Sequence, residues 1–205
     1  MTVKTASKHE LKTRETRAQL LKAAETIFIR DGYAGTELGE VAALAGRTKG
    51  SIYAQFKSKE DLFLALIEEQ SLRYRAEMEE ALAESTTVEG NIAALRNFYL
   101  RRAEDQVWSI LLLEFKMFAM RHPESKKRLQ LHQAELLDEK RIARFLGAAA
   151  KGKDAISRVT AVLTMHPLIS ALVLEAQLGT IFEDKTVLKK VIVRILDTLL
   201  DVPTR

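Results

Sequence analysis

Lys49, Gly50, Ser51, Tyr53 and Gln55 crowd into a seven-residue stretch. An ammonium, a hydroxyl, a phenol and a carboxamide can each hydrogen-bond phosphate oxygens or base edges. Glycine and serine leave room for a backbone to approach closely. Arg47 and Thr48 precede this stretch, and Lys57 and Lys59 follow it. Other chemistries find no support in the spacing. There is no cysteine, so disulfides, thiolate metal sites and cysteine nucleophiles are excluded. His122 and His132 are separated by nine intervening residues, a proline among them, which is not metal-ligand spacing. No glycine-rich phosphate loop and no Ser/His/Asp constellation appears, so neither a cofactor nor an enzymatic activity is expected.

The polar residues need elements that hold them outward. Leu38, Val41, Ala42 and Ala45 recur at helical spacing, Gly46 supplies a tight turn, and Thr48 is a good cap for a second short helix. In that helix Ile52 and Phe56 face inward while Lys49, Gly50, Ser51, Tyr53 and Gln55 face out. Two short helices across a glycine turn form a helix-turn-helix at about 37–56. The same spacing also suits a helical hairpin buried in a core.

Charge distribution favours the first reading. The net charge is +4, and the first 60 residues carry the whole surplus, with eleven Lys/Arg against seven Asp/Glu. A basic unit joined to a neutral one suggests a polyanionic partner.

The helical pattern extends along the whole chain. A first helix is expected from about Thr16 to Asp31-Gly32, and Thr36 is expected to cap the second. Ser58, with Lys59-Glu60-Asp61 behind it, caps a long fourth helix that breaks at residues 85–87. Further helices are expected at 88–105, 107–120, 123 to about 147, 154–182 and 186–201, with a loop at 151–153. The fold class is all-α, with about nine helices and no strand pattern. The longest uncharged run, 159–174, is shorter than the roughly 20 apolar residues of a bilayer span. It contains His166 and Pro167, which should kink the helix or delay its start, and it reads as a buried helix. The N-terminal residues are polar and basic without an apolar core, unlike a signal peptide. Together with the lack of cysteine this implies a cytoplasmic protein that meets no membrane.

The stretch GYAGTELGEVAALAGRTKGSIYAQFKSKEDLF strongly resembles the N-terminal domain of the tetracycline-repressor (TetR) family. The shared elements are the Gly-Tyr pair, Thr36, Ala45-Gly46, Lys49-Gly50, Tyr53, Phe56 and the run Ser58 to Leu62. The resemblance divides the chain into a DNA-binding domain at 14–74 and a regulatory and dimerisation domain at 75–205. It implies DNA contacts at Thr36, Lys49, Tyr53 and Lys59, mostly to phosphates. Gln55, Thr48 and Ser51 are plausible base readers. Arg47 stands where many relatives have an apolar residue, so it should point outward and add a contact. The arm 8–17 is not a family motif and is expected either to reach phosphates or to be disordered.

In the family's pattern the last two helices pair with those of a second copy. Val162, Ile169, Leu172 and Val173 in one, and Ile192, Ile195 and Leu199 in the other, are the expected dimer face. The ligand pocket lies among the middle helices, which makes Phe98, Tyr99, Trp108, Glu114, Phe115, Phe118 and His166 candidates beside their ordinary reading as core. Glu114 is either an acid facing a cationic ligand or part of a solvated face. The expectation is a homodimeric repressor that leaves a palindromic double-stranded DNA operator when a small, mostly apolar effector binds. The alternative is a DNA-gripping helical protein without ligand control.

Overall fold

The computed structural model describes residues 7–136, 146, 157–179, 182 and 184–202, with the backbone alone at 132–136. The described residues form nine α-helices and no strand: α1 Lys8–Gly35, α2 Leu38–Leu44, α3 Lys49–Tyr53, α4 Lys59–Ala83, α5 Val88–Glu104, α6 Gln106–Arg121, α7 Pro123–Leu136, α8 Arg158–Leu178 and α9 Lys185–Leu199. The all-α expectation holds.

The helix starts follow local chemistry. Ser7 opens α1 with a reciprocal capping box: its hydroxyl accepts from the Glu10 N–H, and its own N–H donates to the Glu10 carboxylate. The basic arm 8–17 is therefore helical, an outcome that the apolar pattern, starting only at Leu20, did not signal. Thr87, Ser157 and Asp184 cap α5, α8 and α9 with one-way bonds, each side-chain oxygen accepting a backbone N–H of the first turn. The eighth expected helix thus begins at Arg158, with Ser157 as its cap; its expected start at 154 lies outside the described residues, as do the loop at 151–153 and the expected seventh-helix end near 147. Pro167 sits inside α8, which runs on through it.

Gly32 interrupts α1 at φ 72 and ψ 177, a conformation open essentially to glycine alone. The first helix therefore breaks where the Asp31-Gly32 pair says it should. One correction belongs here. Thr36 does not cap α2: the N-cap is Glu37, without a side-chain bond, and the Thr36 hydroxyl instead donates backwards to the Gly32 carbonyl at 2.7 Å.

The chain divides into two compact units, Met1–Gln70 with Met117–His132, and Ser71–Lys116 with Gln133–Arg205. Helices α4 and α6 each run unbroken from one unit into the other. In the first unit Leu20, Ala24, Ile27, Phe28, Val41, Ala42, Ile52, Phe56, Leu62 and Phe63 are all at most 3% exposed. Phe63 meets Phe28 edge-on at 4.8 Å and Tyr33 edge-on at 5.3 Å, and Tyr33 lies 4.7 Å from Phe118 of α6. The second unit is built on Leu95, Phe98 and Tyr99 of α5, Met165, Ile169 and Val173 of α8, and Ile192 and Leu196 of α9. The buried Tyr99 hydroxyl donates to the Val162 carbonyl at 2.8 Å, and Arg96 ties α5 to Asp197 at 2.7 Å.

Helix α8 is long and apolar enough to cross a membrane by length and composition, with a mean hydropathy of 1.6. Its inner face, Ala161, Val162, Met165, Ile169 and Val173, belongs to the core of the second unit. Such helices occur in the cores of globular proteins.

Candidate nucleic-acid interface

The turn between α2 and α3 is closed by backbone bonds. Gly46 N–H donates to the Ala43 carbonyl at 3.0 Å and Arg47 N–H to the Ala42 carbonyl at 2.8 Å. This 5→2 and 6→1 pair is a Schellman ending, and it places Gly46 in the left-handed region at φ 64. Thr48 then starts α3, its hydroxyl oxygen accepting from the Ser51 N–H. Val41 and Ala42 of α2 and Ile52 of α3 are fully or almost fully buried, with Phe56 just beyond. That contact fixes which way α3 faces. Its outward side carries Lys49, Gly50 and Tyr53, all exposed, with Tyr53 at 52%. Ser51 and Gln55 are half-buried beside them, and Thr48 and Lys57 stand exposed at either end.

Three residues expected in this surface are placed otherwise. Thr36 is 3% exposed, and with its hydroxyl bonded to Gly32 it has no surface to offer a phosphate. Arg47 does not point away from the protein: Nε and Nη2 donate to the Gln19 Oε1 of α1 at 3.0 and 2.6 Å. The Lys59 ammonium donates to the carbonyls of Ala34 and Thr36 at 3.0 and 3.1 Å and lies 5.1 Å from the Tyr33 ring. It holds the end of α1 against the start of α4. Two of its three protons are therefore engaged inside the unit.

The support for α3 also includes residues that sequence reading passed over. The Arg17 guanidinium stacks over Phe56, 4.5 Å from the ring centroid. Arg128 of α7 pairs with Asp61 and lies 3.5 Å from Glu60, while Asp61 also accepts the Lys57 N–H at 2.9 Å. Arg30 bridges Asp31 and Glu40 of α2. Apart from the local Arg30–Asp31 and Lys57–Asp61 contacts, the members of these pairs are 10 to 68 residues apart, so no short motif signals them.

The ligand candidates separate between the units. Phe98, Tyr99, Trp108 and Phe115 are buried within the second unit, and Glu114 is half-buried. Phe118 belongs to the first unit, where it packs on Tyr33 and stacks on His122 at 3.9 Å. Burial, with the Lys116 and Arg102 charges, pushes the His166 imidazole down to about 4. No group of three or more metal-ligating side chains occurs among the described residues.

The expected dimer face also needs redrawing. Val162, Ile169, Val173 and Ile192 are at most 3% exposed within a single chain, so they have no surface left for a second one. Leu172, Ile195 and Leu199 pack against the same core and keep partial exposure. Four exposed apolar residues of α8, Pro167, Ala171, Leu174 and Leu178, are offset from these and form a stripe at i, i+4, i+7 and i+11, beside the exposed polar residues Thr160, His166 and Gln177.

Residues 20–66 match the family model described as bacterial regulatory proteins, tetR family. The chain is 48% identical over 54 residues to the HTH-type transcriptional regulator TtgR of Pseudomonas putida, a match covering 26% of each chain. The alignment thus spans about a quarter of that relative's length. To the HTH-type transcriptional repressor AcnR of Corynebacterium efficiens the identity is 29% over 137 residues, covering 67% of this chain and 68% of the relative. Among solved structures, a putative TetR-family transcriptional regulator from Rhodococcus sp. superposes with a TM-score of 0.70 at 20% identity, covering 91% of this chain and 99% of the other. The FadR regulator of Bacillus subtilis, in complex with stearoyl-CoA, superposes with a TM-score of 0.64 at 20% identity, over 89% and 98%. The glycine-turned α2–α3 pair thus lies inside the segment that matches the tetR family model, and the all-helical fold is shared along nearly the full length with solved structures described as TetR-family regulators.

Proposed function

We propose that the protein is a homodimeric, DNA-binding transcriptional repressor that inserts α3 into the major groove of an operator and leaves it when a small effector binds the second unit. The observation that carries the DNA-binding part is the two-sided α3. Ile52 is fully buried on one side, and Lys49, Gly50 and Tyr53 stand exposed on the other. Lys49 and Lys57 suit phosphates; Gln55, Ser51 and Thr48 suit base edges. The regulators and repressors to which the chain is similar support the same reading. Dimerisation is assigned to the exposed stripe of α8 together with the half-buried Val191, Ile195 and Leu199 of α9. Release follows if the effector favours a chain conformation in which the two α3 helices no longer match one turn of DNA; α4 and α6, shared by both units, are the elements able to transmit that change.

The test is electrostatic. Each neutralised phosphate releases counterions, so Lys49→Ala should lower the slope of log affinity against log salt by about one. An unchanged slope removes Lys49 from the phosphate contacts.

A further inference from the structure

The start of α1, Lys8 to Arg17, lies ahead of the apolar face that begins at Leu20, and none of its residues is buried. It is helical because the Ser7–Glu10 capping box opens it and the rest of α1 continues it. This helical arm adds nothing to the core of the first unit, and its charges do not serve the fold either. Lys8 stands in the first turn, where the helix dipole disfavours a cation. Lys8 and Lys12 are both exposed, and neither pairs with a carboxylate among the described residues.

Two contacts fix the arm to the helix-turn-helix. Arg17 lies over Phe56, beyond the C-terminal end of α3, at 4.5 Å from the ring centroid. Gln19 Oε1 accepts from Nε and Nη2 of Arg47, the residue before the Thr48 cap, at 3.0 and 2.6 Å. The second contact is therefore at the N-terminal end of α3, the end through which a recognition helix meets base edges. Lys8, Lys12 and Gln19 recur at i, i+4 and i+11, so the two lysines share the stripe of α1 that carries this contact. At a rise of about 1.5 Å per residue they stand about 10 and about 16 Å beyond it along the helix. Glu15, beside the same stripe, accepts from Gln19 Nε2 at 3.4 Å. The run Arg47–Gln19–Glu15 thus sets one positive charge against one negative charge, and Lys8 and Lys12 are left over. Arg14 differs, being one turn before Arg17 and on the other side of the helix.

We propose that the arm of α1 is a second DNA-contacting element, with Lys8 and Lys12 binding phosphates of the duplex alongside the groove that α3 enters. Two exposed ammonium groups one turn apart, on a stripe continuous with the base-reading end of α3, are point charges suited to the phosphate backbone and not to base edges. Because the arm is helical before it meets DNA, binding does not have to order a loose tail. The inference rests on the DNA-binding reading above and extends it: each protomer grips more of the duplex than the groove read by α3, and the added contacts carry affinity without sequence preference.

The test uses the full-length protein and the duplex that it enriches from a randomised pool, read by salt titration and by phosphate-ethylation interference. Lys8→Ala combined with Lys12→Ala should lower the slope of log affinity against log salt by about two. Interference should vanish in that variant at a set of phosphates that still interfere with Lys49→Ala. Lys8→Arg combined with Lys12→Arg should keep both the slope and the interference pattern, and Arg14→Ala should leave the slope as in wild type. Neither lysine makes a contact that the fold uses, so the thermal midpoint of the alanine pair should equal or exceed that of wild type. An unchanged slope in the alanine pair, loss of only those phosphates already lost in Lys49→Ala, or a drop in Arg14→Ala as large as that of either lysine would overturn the proposal. If Lys49→Ala lowers the slope while the arm variants do not, the arm alone is removed from the interface. A wild-type protein that enriches no duplex sinks the DNA-binding reading, and the arm's role with it.

Discussion

Individual side chains in the first unit divide into those that face outward to act and those that hold the others in place, and substitution separates the two kinds. Lys49 makes no contact that the fold needs, so Lys49→Ala is expected to weaken duplex binding with the thermal midpoint unchanged. Lys59 bonds two backbone carbonyls, and hydrogen bonds to a charged group contribute about 1.5 kcal/mol or more. Lys59→Met should therefore lower the unfolding free energy by about that amount, measured by urea titration. A stability equal to wild type would show those bonds to be incidental. His166 gives a pH signature in the second unit. Its folded-state value of about 4 lies below the ordinary 6.5, so the unfolded chain binds the proton first. Stability contributed by the neutral ring is complete above about pH 6.5 and is lost as pH falls toward 4. The wild type should lose stability more steeply than His166→Gln across that window; parallel curves would mean that the ring titrates as it does in water.

At the scale of elements, the α2–α3 turn depends on Gly46. A side chain there would meet no atom within 4 Å, so the cost of Gly46→Ala is the left-handed backbone alone, about 1–2 kcal/mol. Gly46→Asn should recover part of that loss in the same urea titration. If Ala and Gly are equally stable, the Schellman geometry does not hold the turn. This turn was legible in the sequence, because Gly46, the Thr48 cap and the apolar spacing of Val41, Ala42 and Ile52 are all local signals. The helical arm 8–17 was not, since its stabilisation comes from a Ser7–Glu10 capping box ahead of any apolar residue. Nor were the positions of Arg47 and Lys59. Their types suggested phosphates, but the acceptors they found, Gln19 Oε1 and two carbonyls near the α1 end, come together only through tertiary packing. Periodicity identified α8 and α9 as apolar beyond the ordinary. It did not decide which residues of those faces stay open: Val162, Ile169, Val173 and Ile192 are buried within one chain, while Leu172, Ile195 and Leu199 keep partial exposure.

For the whole molecule, the exposed stripe Pro167, Ala171, Leu174 and Leu178 leads to a different choice of variants than the sequence alone would. Leu174→Asp with Leu178→Asp should convert a dimer to a monomer in sedimentation without loss of helicity, because in one chain both side chains are exposed, at 36% and 63%. A dimer that survives the pair of changes places the interface elsewhere. Monomerisation should also weaken DNA binding sharply, since two α3 helices must engage together to read a two-fold site. The central claim, that α3 reads DNA as one half of a symmetric pair, is tested most directly by selecting bound duplexes from a randomised pool with the wild-type protein and with Gln55→Ala. The expected result is one enriched palindrome whose half-site centres lie about 10–10.5 base pairs apart or a multiple of that, with preference relaxed at specific positions in the variant. A pool that shows no enriched sequence, or an identical palindrome from both proteins with Lys49→Ala and Tyr53→Ala binding it as tightly as wild type, would contradict it.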